Sequence, residues 1–316
     1  MKNITLSNNP LYNLKSKNKL KKLLYVDNFD NIINQYDVFI AKPARLVEKP
    51  SNQLKIIHTR IFKFLKKIEI PDYLFSSKKG KCYIDNARLH QNNSFVVTLD
   101  LSKFFPKSNA SHIYNLFEKK FNMSKDVAYI MTQICSIDTS KITLKDSVKR
   151  WYQNANNKLK YPIPISHVPT GSCTSQIIAF LSFIDMFEEM NSIACCNNIT
   201  FSVFVDDIII SSNQPIKRHI INKFKYIATK YGHEINKSKI KYYGINYNKR
   251  ITGVIITKDH RLKSPSKNHF QSFKDAQQYK INPSIKSKQR TIGRIQAVRN
   301  IEKQKFIQLI KDIKQV

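Results

Sequence analysis

The feature that most constrains the fold is an apolar run interrupted by two acids, FSVFVDDIIISS at 201–212. Both halves of the run are rich in β-branched and aromatic residues, which favour strands. An ionised carboxylate within a buried strand is costly, so Asp206 and Asp207 belong where the chain turns. The run therefore predicts a β-hairpin with two acids at its tip.

A second apolar run, SFVVTLDL at 94–101, predicts a buried strand that ends at Asp100. Helices are predicted by apolar spacing within 10–40 and at 52–69, 109–121, 174–190, 216–231 and in the C-terminal segment, and further strands near 239–243 and at 250–257. This order predicts an α+β fold, in which helices cover one face of an antiparallel sheet.

The charge predicts a polyanionic partner. The chain has 54 Lys and Arg against 22 Asp and Glu, a net charge of +32. A compact protein with this excess repels itself, and nucleic acid is the common partner that offsets the repulsion. Residues 261–316 alone hold 14 Lys and Arg against 3 Asp and Glu. We therefore expect a basic, helical segment that binds RNA at the C-terminal end.

The cysteines and the apolar segments exclude several other classes. Five scattered cysteines show no zinc-binding spacing and are typical of reduced thiols. No stretch of the sequence is apolar and long enough for a signal peptide or a membrane span. The sequence predicts a cytoplasmic protein that does not bind membranes.

Asp100, Asp206 and Asp207 together suit phosphoryl transfer through two Mg²⁺ ions, because Mg²⁺ prefers oxygen ligands. Taken singly, each acid also fits an ordinary turn or strand end. Phe105, five residues after Asp100, would lie beside a nucleotide sugar, whereas Phe104 fits the core. Lys239 would protonate a leaving pyrophosphate, although a lone lysine is usually a surface charge.

In order along the chain, these segments resemble the motif series of reverse transcriptases. The strand with Asp100 resembles the first catalytic motif, VPTGSCTS at 168–175 the second, and FVDD at 204–207 the Y-x-D-D box with Phe for Tyr. The stretches 232–239 and 251–253 (ITG) are similar to the two motifs that follow. NARLH at 86–90 resembles the N-A-x-x-H box of retron reverse transcriptases, and ITG their V-T-G box.

The resemblance implies a right-hand polymerase fold with fingers, antiparallel-sheet palm and helical thumb. It divides the chain into an N-terminal helical extension (1–40), a fingers and palm core (41–258) and a basic helical thumb (259–316). It implies an RNA-directed DNA polymerase that uses two Mg²⁺ ions and dNTPs. Such an enzyme would copy its cognate noncoding RNA into a branched RNA–DNA hybrid, primed from a guanosine 2′-hydroxyl. An effector protein and a role in antiphage defence are also implied.

The site residues are assigned on this resemblance. The catalytic residues would be Asp100, Asp206, Asp207 and Lys239, with the three acids and the Leu101 carbonyl as metal ligands. The nucleotide-binding residues would be Leu101, Phe105, Thr170, Gly171, Ser172 and Arg45, although Arg45 fits a plain surface residue equally well. The RNA-binding residues would be Asn86, His90, Lys286, Lys288, Arg290, Arg294 and Arg299.

Two residues depart from the family pattern, and three alternatives remain. Gln176 stands where the family commonly has Pro, and Phe204 lacks the usual tyrosine hydroxyl. The alternatives are a reverse transcriptase of another bacterial lineage, a non-catalytic RNA-binding scaffold and a metal-dependent nuclease. The N-A-x-x-H box disfavours the first, and retention of all three acids disfavours the second. The nuclease would not need the 168–175 and 232–239 motifs.

Overall fold

The computed structural model describes residues 6–315, so residues 1–5 of the predicted extension and residue 316 of the predicted thumb lie outside the described residues. Its α-helices are α1 (Lys17–Leu24), α2 (Asn52–Leu65), α3 (Tyr83–Leu89), α4 (Phe104–Lys107), α5 (Ala110–Asn115), α6 (Lys125–Cys135), α7 (Asp146–Asn156), α8 (Ser175–Ser182), α9 (Ile184–Cys196), α10 (Arg218–Lys230), α11 (Ser266–Ile281), α12 (Ile285–Arg299) and α13 (Ile307–Gln315). Its strands are β1 (Tyr36–Ala41), β2 (Arg45–Pro50), β3 (Phe95–Asp100), β4 (Ile137–Asp138), β5 (Ser166–His167), β6 (Thr200–Phe204), β7 (Asp207–Ser212), β8 (Lys241–Tyr243), β9 (Lys249–Ile251), β10 (Val254–Ile256) and β11 (Leu262–Lys263).

The central sheet is antiparallel and has the strand order β6-β7-β3-β8. Side chains alternate across β3, so Val97 and Leu99 enter the main core while Val96 points to the opposite face. The helices α8, α9 and α10 contribute to the main core. On the opposite face, α3 and the β9–β10 hairpin cover the sheet. The prediction that helices cover one face is thus incomplete, because this second face is buried as well.

Most predicted elements are present, with two differences. The 201–212 run forms the hairpin β6–β7, and 94–101 forms β3. The predicted helix 174–190 is instead two helices, α8 and α9, because the chain leaves helical geometry at Phe183. The predicted strand 250–257 is a hairpin, because Thr252 and Gly253 both adopt positive φ and form a two-residue turn. The sequence analysis does not predict the helices α3, α4, α6 and α7 or the strands β1, β2, β4, β5 and β11.

The ends of the chain pack differently. In the N-terminal part, Leu20 and Leu24 of α1 pack into the main core. The predicted boundary at residue 40 falls inside β1, which pairs with β2, and the short helices predicted for 10–40 reduce to α1. In the C-terminal part, α11, α12 and α13 share a separate small core. None of the described helices is both long and apolar enough to cross a membrane.

Candidate active site

The sheet register brings the three predicted acids together. Asp100 at the end of β3 lies directly opposite Asp207 at the start of β7. Asp206 precedes Asp207 in the turn, and its carbonyl accepts a hydrogen bond from the Leu101 N–H at 2.9 Å. Residues more than 100 positions apart in sequence thus meet at one edge of the sheet because β3 and β7 pair antiparallel.

The turn that carries these acids is strained. Val205 has a φ of 61°, a left-handed conformation that a β-branched residue rarely adopts. The buried Ser76 holds this turn, since its Oγ accepts a hydrogen bond from the Val205 N–H at 3.1 Å. Leu74 bridges to Val203 just before it. The sequence analysis misses Ser76, because nothing in its own segment indicates that it reaches the hairpin.

The carboxylates carry more negative charge than the protein offsets. Burial, followed by repulsion from Asp206 and Asp100, raises the pKa of Asp207 to about 7. Burial and then Asp100 also raise the pKa of Asp206, against the opposing effect of Lys239 and Arg45. Clustered oxygen donors with this excess charge suit a hard divalent cation. The residues therefore fit the metal that their motifs imply.

Lys239 lies against one of these acids. Its Nζ donates to Asp100 Oδ1 at 2.7 Å, and this bond raises the pKa of Lys239. Within residues 6–315, no three His, Cys, Asp or Glu side chains form a group that could hold a metal. Metal binding by the three aspartates stays a prediction, and in this structure the Asp100 carboxylate is bonded to Lys239. The three acids are neighbours, and the release of Asp100 from Lys239 would leave that carboxylate available to a metal.

Phe104, Phe105 and Leu101 follow Asp100 directly. Phe104 is buried in the main core, and Phe105 is partly buried against it. This difference agrees with the expectation that Phe104 belongs to the core. The Leu101 side chain is buried, so only its backbone is available to a metal or nucleotide. The roles of Leu101 and Phe105 stay predictions.

The loop at 170–172 is bonded to other parts of the protein. The Thr170 hydroxyl accepts from the Glu48 N–H at 3.0 Å and donates to the Leu46 carbonyl at 3.1 Å. The Ser172 hydroxyl lies 2.7 Å from His58 Nδ1. A Cβ on Gly171 would lie 2.5 Å from the Glu48 carbonyl oxygen, so this position requires glycine. The two hydroxyls thus fix the loop to β2 and α2, an arrangement that does not support their predicted contact with a nucleotide.

A buried polar cluster supports the same loop. Glu48 is fully buried, and its carboxylate accepts from the Thr170 N–H at 2.8 Å and from the Tyr152 hydroxyl. It also lies 2.9 Å from Nε2 of the buried His167. Burial acts to raise the pKa of Glu48, but the hydrogen bond and charge of His167 outweigh it, and the pKa is lowered. Sequence reasoning misses Glu48, although its alternation with Leu46 in β2 places it on an apolar face.

The N-A-x-x-H segment lies inside the protein. Asn86 and His90 are fully buried. Nδ1 of His90 lies 2.6 Å from the Ser211 hydroxyl and Nε2 lies 2.7 Å from that of Ser202, which donates to Asn86 Oδ1 at 2.6 Å. The predicted RNA contact of Asn86 and His90 is therefore wrong, because their side chains are bonded to β6 and β7. They fasten α3 to the hairpin that carries Asp206 and Asp207.

The remaining basic residues differ in their exposure. Arg45 is exposed at the start of β2 and acts electrostatically on Asp206. Lys286, Arg290 and Arg294 recur every four residues along α12 and are exposed on one face. Arg294 donates to the buried Asp275 at 2.6 Å, and Arg290 lies 3.7 Å from the same carboxylate. Lys288 and Arg299 are half-buried. RNA binding by these five residues stays a prediction.

Comparison with known proteins identifies the family. Residues 40–256, well over half of the chain, match the family described as reverse transcriptase (RNA-dependent DNA polymerase). Retron Se72 reverse transcriptase from Salmonella heidelberg (strain 579083-10) is 27% identical over 63% of this chain and 46% of its own length. For retron Ec83 reverse transcriptase from Escherichia coli the identity is 25%, over 69% of this chain and 66% of the relative. For retron Ec86 reverse transcriptase, also from Escherichia coli, the identity is 20%, over 69% and 60%.

The chain thus spans about half to two thirds of the length of these relatives. A solved structure of telomerase from Candida albicans in complex with a fragment of telomeric RNA is similar with a TM-score of 0.46 and 10% identity, over 89% of this chain and 56% of that one. The predicted resemblance to retron reverse transcriptases is confirmed by the family match and by the curated relatives. This chain belongs to the reverse transcriptase (RNA-dependent DNA polymerase) family.

Proposed function

We propose that the protein is an RNA-directed DNA polymerase of the retron type. One observation carries the proposal: Asp100 and Asp207 are paired across β3 and β7, with Asp206 beside them, inside the segment that matches the family. Phosphoryl transfer needs carboxylates at one point, and the hairpin supplies them on a rigid sheet. A non-catalytic scaffold has no use for this arrangement.

The fold assignment extends the family match. The four-stranded sheet with Asp100 and Asp207 would be the palm, and the β1–β2 hairpin with the helices near it the fingers. The helices α11, α12 and α13, which share their own core, would be the thumb. In this assignment the palm holds the acids, and the two flanking parts hold nucleotide and RNA.

The divalent metal that the family uses would be held by Asp100, Asp206 and Asp207, with the Leu101 carbonyl beside them. Two Mg²⁺ ions bound there would activate the primer hydroxyl and stabilise the leaving pyrophosphate. The protein's own part is to position these groups. The Val205 turn, held by Ser76, aims Asp206, and Phe105 limits the space beside the sugar.

Lys239 would act on the leaving group. Its raised pKa keeps the ammonium protonated at neutral pH, so it can neutralise or protonate pyrophosphate. It binds Asp100 in this structure, and a metal on Asp100 would replace that contact. Lys239 thus neutralises Asp100 before substrate binds. Once a metal binds Asp100, the Lys239 ammonium is available to the triphosphate.

The RNA partner is proposed from the retron relatives and from the charge of +32. We infer that the protein binds its cognate structured noncoding RNA and copies part of it into DNA, primed from the 2′-hydroxyl of a guanosine. The product is a branched RNA–DNA hybrid. Association with an effector protein, a cytoplasmic location and a role in antiphage defence belong to the same proposal.

The test is expression of the protein with and without the noncoding DNA that flanks its gene. A short branched DNA, seen on a denaturing gel with its RNA part sensitive to RNase, is expected only when the flanking sequence is present. Asp206→Asn should abolish this product. The matched control is Asp185→Asn, which changes an exposed acid that pairs with Lys120, outside the hairpin.

The outcomes separate the alternatives. DNA synthesis on a generic primed RNA, without a branched product, would retain the polymerase and remove the retron assignment. RNA cleavage without synthesis would indicate a nuclease. RNA binding without synthesis or cleavage would leave an RNA-binding scaffold.

A further inference from the structure

Two lysines outside the catalytic set, Lys103 and Lys158, lie on segments that pack together next to β3. Lys103 follows β3 by three residues and has a φ of 52°, a left-handed conformation uncommon for a residue with a side chain. Its Nζ lies 4.3 Å from the centroid of the Trp151 ring. Lys158 is exposed in the segment after α7 and is close enough to act electrostatically on Lys103. Among the ion pairs of residues 6–315, none includes either lysine.

Glu234 holds these two segments together. Its carboxylate accepts from Lys107 Nζ at 2.8 Å and from the backbone N–H of Lys160 at 3.1 Å. Its backbone carbonyl accepts from the Ser102 N–H at 2.7 Å. Ser102 is next to Lys103, and Lys160 is two residues from Lys158. Glu234 thus joins the segment of Lys103, which follows Asp100, to the segment of Lys158.

This assembly concentrates positive charge. Lys103 lies within electrostatic range of Asp100, Lys239 and Lys158. Lys103 thus has two other lysines near it, and one of them, Lys239, already binds Asp100. Like charges brought together by folding cost stability, so an arrangement of this kind indicates a site for an anion.

A fourth cation approaches from the β1–β2 hairpin. Trp151, beneath the Lys103 ammonium, donates from Nε1 to the Ala44 carbonyl at 3.0 Å. The next residue is Arg45, whose charge acts on Asp206. Trp151 thus links the lysine cluster to the hairpin that carries Arg45. Cations from three separate segments face the acids.

The position of a cavity indicates which anion they receive. A cavity of about 310 Å³ is lined by residues that include Asp100, Asp207, Phe204, Lys239, Lys241 and Arg250. None of the three cations Lys103, Lys158 and Arg45 lines this cavity. In the proposed polymerase this cavity would receive the primer terminus. The triphosphate that reacts with this terminus would then lie on the cations outside the cavity. Its several negative charges match the several lysines there.

We propose that Lys103 and Lys158 bind the triphosphate of the incoming deoxynucleotide. This assignment rests on the proposed polymerase function and adds two residues of this chain to it. The two lysines contact the polyphosphate and position it for attack, with Trp151 holding the Lys103 side chain in place. Both are exposed, so replacing them leaves the core intact.

The experiment compares Lys103→Gln, Lys158→Gln and the double variant with the wild-type chain. The control is Lys223→Gln, an exposed lysine of α10 with no place in the site. Primer extension on an RNA template gives KM for dNTP and kcat, a separate titration gives Kd for the primed RNA, and calorimetry gives Kd for inorganic tripolyphosphate. Circular dichroism checks that every variant is folded.

Each single variant should raise KM for dNTP about tenfold, with a smaller change in kcat, since each removes a charge-assisted bond. The Kd for tripolyphosphate should rise in parallel, and the Kd for primed RNA should stay within about twofold. Weaker RNA binding with unchanged KM would overturn the proposal and place the lysines on a strand phosphate.

If the protein is not a polymerase, the primer-extension assay and the tripolyphosphate titration will give different answers. A wild-type chain that extends no primer refutes that function, and the tripolyphosphate titration still decides the role of the lysines. Binding that the double variant loses supports the anion site, and equal binding by both proteins overturns it.

Discussion

At the scale of single residues, a substitution of Asp206 tests whether DNA synthesis and RNA binding depend on different residues. The residue follows Val205 in the strained turn, and its proposed role is to hold metal and not phosphate. We expect Asp206→Asn to abolish DNA synthesis while the Kd for RNA stays within about twofold, because the basic surface is untouched. Filter binding and primer extension on the same preparation measure both. Parallel loss of RNA binding would refute the role as a metal ligand.

Ser76 is the residue whose loss should loosen that turn. Ser76→Ala removes the acceptor for the Val205 N–H and leaves this partly buried donor without its partner. The free energy of unfolding should fall by about 1–2 kcal/mol, and kcat should fall while KM for dNTP changes little. Chemical denaturation and steady-state kinetics measure the two effects.

The neighbouring Ser77→Ala is the control for this substitution. The Ser77 hydroxyl donates to Gln176 and not to the hairpin, so its loss should leave kcat unchanged. Equal effects of the two substitutions would show that the segment matters in general and that the bond to Val205 does not.

At the scale of elements, α3 should determine stability and not RNA affinity. His90→Ala would leave Ser202 and Ser211 without their shared partner and create a cavity beneath β6 and β7. We expect a loss of about 2–4 kcal/mol in the free energy of unfolding. RNA affinity, measured well below the unfolding temperature, should not change.

Arg88→Ala is the matched control on the same helix, because the Arg88 side chain is exposed and bonds to its neighbour Asp85. It should leave the free energy of unfolding nearly unchanged. A His90→Ala protein that is fully stable but binds RNA poorly would restore the RNA contact that the motif predicted.

Some of these elements can be predicted from the sequence, and others cannot. Acids that interrupt buried runs are visible in the sequence, so the hairpin and the meeting of Asp100 with Asp206 and Asp207 could be predicted. The break at Phe183 could not, because α8 and α9 are apolar throughout and local spacing continues across it. The functions of Ser76 and Glu48 depend on contacts with distant strands, which no local pattern encodes.

At the scale of the whole molecule, buried neutral histidines should make the fold sensitive to acid. Burial lowers the pKa of His58 to about 4 and that of His90 to about 3. Burial, with Lys107 and His112, lowers that of His233 to about 3. The unfolded chain takes up these protons below about pH 6.5, and the folded chain does not, so stability falls as pH falls. Asp206 and Asp207, with raised pKa values, act in the opposite direction.

His233 allows this balance to be tested. Neither of its ring nitrogens has a hydrogen-bond partner among the described residues, and it packs against Phe104 and Phe183. His233→Leu should therefore keep or raise the free energy of unfolding near pH ~7.5. It should also reduce the loss of stability on acidification by about 1.4 kcal/mol per pH unit between about pH 6 and pH 4. Denaturant unfolding at several pH values measures this slope, and His219→Asn, at an exposed position of α10, is the control. An unchanged slope in His233→Leu would mean that His233 is charged in the folded protein, and the acid sensitivity would then belong to other groups.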